Sequence, residues 1–100
     1  MKEIVVLHRA HDEALDLVIQ LNERQEGLGD RCCEALAEAY RRLSQLPETA
    51  PLSQVPPLRR LVIPRFSLGI FYSVQSSRIF IHAIIDLRQD PAFIRRRLID

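Results

Sequence analysis

Arginine is the residue type in this 100-residue sequence that is best suited to do chemistry. Residues 1–57 carry six basic and ten acidic side chains, a net charge of −4, whereas residues 58–100 carry eight arginines and three aspartates, a net charge of +5. Concentrated positive charge binds acidic protein segments or phosphate groups. We therefore predict a basic surface in the C-terminal part. The same charge would arise if the arginines bound no partner and only formed the solvated side of a sheet.

Four of these arginines lie in the stretch "IIDLRQDPAFIRRR", residues 84–97. A strand is expected to close at Arg88, and a short helix to begin at Pro91, with Asp90 as its N-cap. The arginines at 95–97 are then favoured by the macrodipole at the end of that helix. The stretch is predicted to be a charged rim of the fold. Ordinary capping with solvated arginines also explains it without any function.

Histidine and cysteine form no recognisable reactive site. His8 and His11 are three residues apart, but we place them across a strand-to-helix junction, with no third metal ligand nearby in sequence. His82 is expected in mid-strand, where a hydrogen-bonded histidine is more typical than a general base. Adjacent Cys32 and Cys33 cannot easily form an unstrained disulfide, and a zinc site needs more ligands than they supply. We expect no metal and no cofactor.

The length of the chain indicates a single domain, residues 1–100. No apolar run approaches the roughly 20 residues that a membrane-spanning helix needs, and the N-terminal apolar stretch is too short for a signal peptide. Two thiols without a disulfide framework agree with a reducing compartment. We therefore expect a cytoplasmic protein with no membrane partner.

Apolar periodicity predicts a strand at 3–8 followed by two amphipathic helices. The helices should span about 9–26 and 30–46, with Gly27 and Gly29 in the turn between them. Two such helices with a short connection make an antiparallel hairpin. Its predicted buried residues are Ala10, Ala14, Leu17, Val18, Leu21, Cys32, Leu36, Ala39, Leu43 and Leu46.

Three further strands are predicted after a proline-rich loop at 47–57. The apolar period changes to two in "LRRLVIPRF", and Pro64 makes that strand an edge strand or a bulged one. Strands at 68–75 and 78–87 flank a two-serine turn and form a hairpin. The last strand is apolar on both faces in its centre, so it should lie inside the sheet.

Two long segments resemble the RelE/ParE superfamily of toxins from bacterial toxin–antitoxin modules. The segment "RRLVIPRFSLGIFYSVQSSRIFIHAIIDLRQDP" is similar to the C-terminal half of that family, which has an arginine-led strand, a tyrosine-containing strand and an apolar strand closing on R-x-D-P. The segment "NERQEGLGDRCCEALAEAYRRLSQLPE" is similar to the ParE (plasmid stabilisation) branch. The sequence departs from the pattern at Cys32 and Cys33, where an aromatic and an aliphatic residue are usual, and at Ser67–Leu68, where Pro–Tyr is frequent.

The resemblance implies an α+β fold of two layers. An N-terminal strand precedes an antiparallel helical hairpin, which packs on a mostly antiparallel four-stranded sheet of order 1-4-3-2, and a short C-terminal helix follows. In this topology the strand that contains Pro64 is an edge, in agreement with the proline argument. The sheet face away from the hairpin, together with the tail, is the implied working surface.

Two mechanisms divide the superfamily. RelE-like toxins cut messenger RNA on the ribosome with a basic cluster and a tyrosine, whereas ParE-like toxins poison DNA gyrase by binding. Of the RNA-cutting positions this sequence keeps Arg60 and Arg88, the two catalytic candidates. Uncharged residues stand at the others, namely Val62, Gly69 and either Phe93 or Ile94. The resemblance therefore implies a ParE-like gyrase inhibitor; a ribosome-dependent mRNA endonuclease and a degenerate member that binds only its antitoxin are the alternatives.

The resemblance also implies a protein partner, a cognate antitoxin with an acidic segment that folds on the basic surface. That segment should run over the groove of the helical hairpin and the sheet edge. Toxin and antitoxin together could form a heterotetramer. Tail arginines 95–97 are expected to be exposed and to contribute less than the arginines of the sheet. The predicted partner-binding residues are Arg59, Arg60, Arg65, Arg88, Arg95 and Arg96.

Overall fold

The computed structural model describes all 100 residues, in three helices and one four-stranded sheet. The elements are β1 (Glu3–Val6), α1 (His8–Arg24), α2 (Leu28–Gln45), β2 (Arg59–Ile63), a 3₁₀ turn (Pro64–Phe66), β3 (Leu68–Gln75), β4 (Arg78–Asp86) and α3 (Pro91–Ile99). The strand order is β1-β4-β3-β2, with β1 parallel to β4 and the other neighbours antiparallel. The predicted α+β class and strand order are confirmed.

The helical hairpin of α1 and α2 packs on one face of the sheet through the main hydrophobic core. Leu21, Leu36 and Leu43 are buried in it, and the half-buried Leu17 packs against it. Val18 is also half-buried but is not part of this core. From the sheet the core includes Leu68, Ile70, Tyr72, Ile79, Ile81 and Ile84. Two layers form because each helix has one apolar face, and strand alternation gives the sheet a matching one.

The junction between β1 and α1 differs from the prediction. Strand β1 ends at Val6 rather than at residue 8, because Leu7 is the N-cap of α1. His8 and His11 therefore both lie in α1, and the predicted placement across a junction is wrong. Both histidines are exposed, and each lies near Asp12.

The turn of the hairpin and its far end also differ from the prediction. Helix α1 ends at Arg24 because Gln25 is extended, and α2 begins at Leu28 because Gly27, with φ 83°, leads directly into it. Leu46, which was predicted to be buried, is 56% exposed. It follows the last helical residue, and its non-helical backbone takes the side chain away from the apolar face.

Strand β2 lies at the edge of the sheet, as the proline argument predicted. Pro64 itself begins the 3₁₀ turn after the strand, so the strand is shorter than the segment 58–66. The proline-rich loop covers part of this edge. The amide of Arg60 donates to the carbonyl of Pro51 at 3.0 Å, and the amide of Ser53 donates to the carbonyl of Leu58 at 2.8 Å.

Helix α3 covers part of the opposite face of the sheet. Asp90 caps it by accepting a hydrogen bond from the amide of Ala92 at 2.9 Å, and Pro91 occupies its first turn, as predicted. The buried cluster beneath it comprises Phe71, Ala83, Ile85 and Ile94. None of the three helices combines the length and the hydropathy needed to span a membrane.

Strand β4 contains a bulge at His82. Tyr72 pairs with Ile81 and Phe71 pairs with Ala83, so His82 has no partner of its own on β3. An extra residue reverses the alternation of side chains along the rest of the strand. The bulge therefore sets which face of the sheet each later residue of β4 points to.

Gly29 allows the two helices of the hairpin to approach closely. Its amide donates to Oδ1 of Asn22 at 2.7 Å, and a Cβ at this position would lie 2.3 Å from the carbonyl oxygen of Val18. We expect Gly29→Ala to lower the free energy of unfolding by about 2–3 kcal/mol, because the helices must separate. The control is Gly27→Ala, where no atom lies within 4 Å of the new Cβ and only about 1 kcal/mol of backbone strain is expected. Urea unfolding of both variants measures the difference, and equal losses would contradict the close approach.

Candidate functional site

The alternation of side chains along β2 decides where Arg60 lies. Leu61 and Ile63 pack against the core beneath the hairpin, so Arg60 and Val62 face the opposite side of the sheet. Arg60 pairs in register with Phe71, which is buried in the cluster under α3. Its side chain is half-buried and takes part in no ion pair.

Arg88 lies on the hairpin side of the sheet. Its Nε and Nη2 donate to the two carboxylate oxygens of Asp86 at 3.0 and 2.8 Å, and this hydrogen bonding lowers the pKa of Asp86. Asp86 borders a groove with Asp16 of α1, and Arg88 borders a pocket with Leu21. Arg60 and Arg88, the two catalytic candidates, are thus on opposite sides of the sheet and form no common site.

Two further arginines of the predicted partner-binding set hold the proline-rich loop. Nη1 of Arg59 donates to the carbonyl of Ala50 at 2.7 Å, and Nη1 of Arg95 donates to the carbonyl of Gln54 at 3.4 Å. The hydroxyl of Tyr72 donates to the carbonyl of the loop's first residue, Pro47, at 2.8 Å. The Arg59 guanidinium therefore has a structural role that the sequence did not reveal.

Arg97 is the clearest departure from the predicted rim of exposed arginines. Its side chain is 10% exposed, and Nε and Nη2 donate to the two carboxylate oxygens of Glu13 at 2.8 and 2.9 Å. Nη2 also donates to the carbonyl of His82 at 2.8 Å, and Glu13 accepts a hydrogen bond from the amide of Ile84 at 3.2 Å. The prediction that residues 95–97 are all exposed is wrong.

Helix geometry and strand lengths explain the placement of Arg97. Residues three and four apart lie on one face of a helix, and Arg97 follows the buried Ile94 by three. Strand β1 pairs with β4 only as far as Ile81, so the backbone of β4 beyond that point needs other partners. The ion pair between Glu13 and Arg97 supplies them and joins α1, β4 and α3.

Arg65 and Arg88 share a pocket of about 140 Å³ with Arg24, the last residue of α1. The guanidinium of Arg65 stacks over the ring of Phe66, 5.4 Å from its centroid. The sequence alone does not point to Arg24, because this residue lies in the acidic half of the chain. The one local signal for it is its position in the last turn of a helix that ends shortly before a glycine turn, where a basic side chain is favoured. Of the predicted arginines, Arg96 is exposed and makes no ion pair.

The remaining reactive side chains are the cysteines and the histidine of β4. No group of three or more histidine, cysteine or acidic side chains could hold a metal ion. Cys32 is buried, and burial raises the pKa of its thiol to about 11, whereas Cys33 is exposed. Nε2 of His82 lies 2.8 Å from Oγ of Ser73, a pairing across two neighbouring strands. No acidic side chain hydrogen-bonds to the His82 ring.

His82 should make the stability depend on pH. Burial first, and then the charge of Arg97, lower its pKa below the usual 6.5. Below pH 6.5 the unfolded chain binds a proton that the folded chain resists, so the free energy of unfolding should fall as the pH decreases from about 7 towards the lowered pKa. Urea unfolding at pH 7.5 and 5.5 tests this, and His82→Gln should reduce the difference.

The control for this experiment is His11→Gln, which changes an exposed histidine of α1. It leaves the pairing of His82 with Ser73 in place, so the pH dependence that His82 causes should persist. Asp86 also has a lowered pKa, but its contribution is lost at pH values near and below its usual 3.8, outside the window that His82 governs. An unchanged pH dependence in His82→Gln would show that other groups cause it.

A groove on the outside of the hairpin runs between α1 and α2. It has a volume of about 180 Å³, and Leu15 and Ile19 of α1 are each about half exposed. The groove is lined by His11, Ala14, Leu15, Val18, Cys33 and Leu36. This groove is the apolar surface over which the partner's acidic segment was predicted to run.

Comparison with known proteins shows similarity of fold. No protein-family model matches this sequence, and no curated protein does. A chain in a solved structure of the chromosomal ParDE TA system from P. aeruginosa superposes with a TM-score of 0.75. The two chains are 17% identical, and the match covers 84% of this chain and 94% of that one. The present chain therefore has the fold of that chain over almost the whole length of the latter.

Proposed function

We propose that this protein is the toxin of a type II toxin–antitoxin module, that it is ParE-like, and that it inhibits DNA gyrase by binding. The observation that carries the proposal is the shared fold with a chain of the ParDE system, which extends over 94% of that chain. Residue patterns in both halves of the sequence resemble the same superfamily. A cognate antitoxin is then the expected partner.

The geometry of the arginines argues against RNA cleavage by the RelE-like mechanism. That chemistry needs several positive charges around one phosphate, but the sheet separates Arg60 from Arg88, and Asp86 holds the latter. Gly69 stands where that mechanism has an arginine, and a Cβ there would lie 2.8 Å from Cδ2 of Leu87 and 2.9 Å from a ring carbon of Phe71, so these side chains would have to shift to admit one. Phe93 and Ile94 cannot transfer a proton.

Two assays distinguish gyrase inhibition from RNA cleavage. In the first, purified protein is added to gyrase and supercoiled plasmid, and we expect cleaved, linear plasmid to accumulate. In the second, induced cells should form filaments while protein synthesis continues. Rapid arrest of translation, with messenger RNA cut inside codons, would contradict the proposal. Arg88→Gln serves as the internal control, since it removes a candidate residue of the RNA-cutting alternative and should leave gyrase inhibition in place.

Antitoxin binding is expected to use both the apolar groove of the hairpin and unpaired arginines. Arg59 and Arg95 already donate within the chain and Arg88 pairs with Asp86, which leaves Arg60, Arg65 and Arg96 from the predicted set. A charge-assisted contact to the half-buried Arg60 should contribute about 1.5–3 kcal/mol. A contact to the exposed Arg96 should contribute about 0–1 kcal/mol.

Titration of the complex against salt tests this surface. Affinity should fall with salt, and Arg60→Ala should weaken binding far more than Arg96→Ala. If both substitutions have equal, negligible effects and salt has none, packing in the groove alone holds the complex. A protein that binds its antitoxin but affects neither gyrase nor translation would be a degenerate toxin. Light scattering of the complex determines whether it is a heterotetramer.

A further inference from the structure

We propose that the pocket formed by Arg24, Arg65 and Arg88 binds the terminal phosphate of a phosphate monoester. The three arginines come from the end of α1, the 3₁₀ turn and the segment after β4, and they line one pocket of about 140 Å³. This inference does not depend on the proposed toxin function. It concerns the hairpin side of the sheet, away from Arg60.

The charges around the pocket favour a dianion. Arg88 is neutralised by the carboxylate of Asp86, to which it makes two hydrogen bonds. Arg24 and Arg65 make no ion pair, although the charge of Arg24 also lowers the pKa of Asp86. Three arginines therefore stand against one carboxylate, and a net charge of two positive units is uncompensated. A phosphate monoester carries close to two negative charges above its second pKa of about 6. A carboxylate carries one and would leave a positive charge unmatched.

The walls of the pocket strengthen this preference. Leu21, Leu28 and Phe66 line it alongside the arginines, and apolar walls reduce the screening of charge by water. Ser67 adds a hydroxyl at the border. Arginine matches the geometry of phosphate oxygens with paired N–H donors. The structure therefore combines the donors of exposed arginines, net charge and an apolar border in one place.

The size of the pocket limits the ligand. A volume of about 140 Å³ is well below the roughly 300–1,000 Å³ of sites that enclose drug-sized molecules. The pocket suits a phosphate group, with the rest of the ligand outside. The recognised chemistry is thus a terminal phosphate, carried either by a small metabolite or by the 5′ end of a nucleic acid.

The test is an NMR titration of ¹⁵N-labelled protein with glycerol 3-phosphate at pH 7.5 and constant ionic strength. We expect saturable shifts of the Nε–H signals of Arg24, Arg65 and Arg88, with a Kd on the order of 1 mM. Arg24→Gln and Arg65→Gln should each raise the Kd about three- to tenfold. Arg96→Gln removes the same charge from an exposed arginine outside the pocket and should leave the Kd unchanged.

Three further titrations complete the design. At pH 5 the monoester is a monoanion, so its affinity should fall several-fold. Tighter binding of a 5′-phosphorylated dinucleotide than of glycerol 3-phosphate would identify a nucleic acid end as the source of the phosphate, and equal binding would identify a small metabolite. Acetate should bind more weakly than either. The proposal would be overturned if acetate bound as tightly as glycerol 3-phosphate. It would also be overturned if Arg96→Gln raised the Kd as much as Arg24→Gln and Arg65→Gln do.

Discussion

Arg97→Ala is expected to lower the free energy of unfolding by about 3–4 kcal/mol. The side chains of Arg97 and Glu13 are 10% and 25% exposed, and removal of one partner leaves the other charge poorly solvated. The substitution also takes away the hydrogen bond to the carbonyl of His82. Urea unfolding measures the loss. In the variant, the backbone amide of Ile94 should exchange with solvent faster than the amides of the sheet, because α3 opens more easily.

The neighbouring residue provides a matched control for this prediction. Arg96 is exposed and makes no ion pair, so Arg96→Ala should change the stability by no more than about 0.5 kcal/mol. A double-mutant cycle with Glu13→Gln isolates the interaction, and the loss in the double variant should be well below the sum of the two single losses. Equal effects of Arg96→Ala and Arg97→Ala would contradict the position of the ion pair.

Leu36→Ala is expected to lower the free energy of unfolding by about 2–5 kcal/mol. Leu36 is 6% exposed and belongs to the core between the hairpin and the sheet. Truncation removes apolar contact and leaves a cavity, and both effects favour the unfolded chain. Leu46→Ala, at the C-cap that follows the same helix, is the control, because Leu46 is 56% exposed and its truncation should cost less than about 1 kcal/mol. A similar loss in both variants would mean that α2 packs with another face on the sheet.

The helices and strands were largely predictable because their signals are local. The apolar period of 3.6 in the hairpin and of two in the later strands follows from which side chains neighbour one another along the chain. The cap at Asp90 and Pro91 also involves only adjacent residues, and it was predicted correctly. The boundary errors at Leu7, Gly27 and Leu46 arose where a single backbone conformation decides whether a helix continues.

The strand order was predicted through a resemblance and not from periodicity. Alternation shows that a strand has two faces, but it does not show which strand lies beside it. The bulge at His82 was not predicted at all, since an extra residue in one strand is defined only by its partner strand. The faces of the later residues of β4 depend on that bulge.

The sequence by itself determined the charge of the C-terminal half, the amphipathic faces and the cap of the last helix, all of which depend on residues close together in the chain. The tertiary structure determined what each arginine does, because the role of a guanidinium group depends on the groups that it contacts. Arg97 pairs with Glu13, 84 positions away, and Arg24 joins Arg65 and Arg88 across three elements. Arg60 and Arg88 lie on opposite sides of the sheet because the pleat of β2 and the path after β4 direct them there. Composition records the number of charges, but only packing brings distant charges together or keeps them apart.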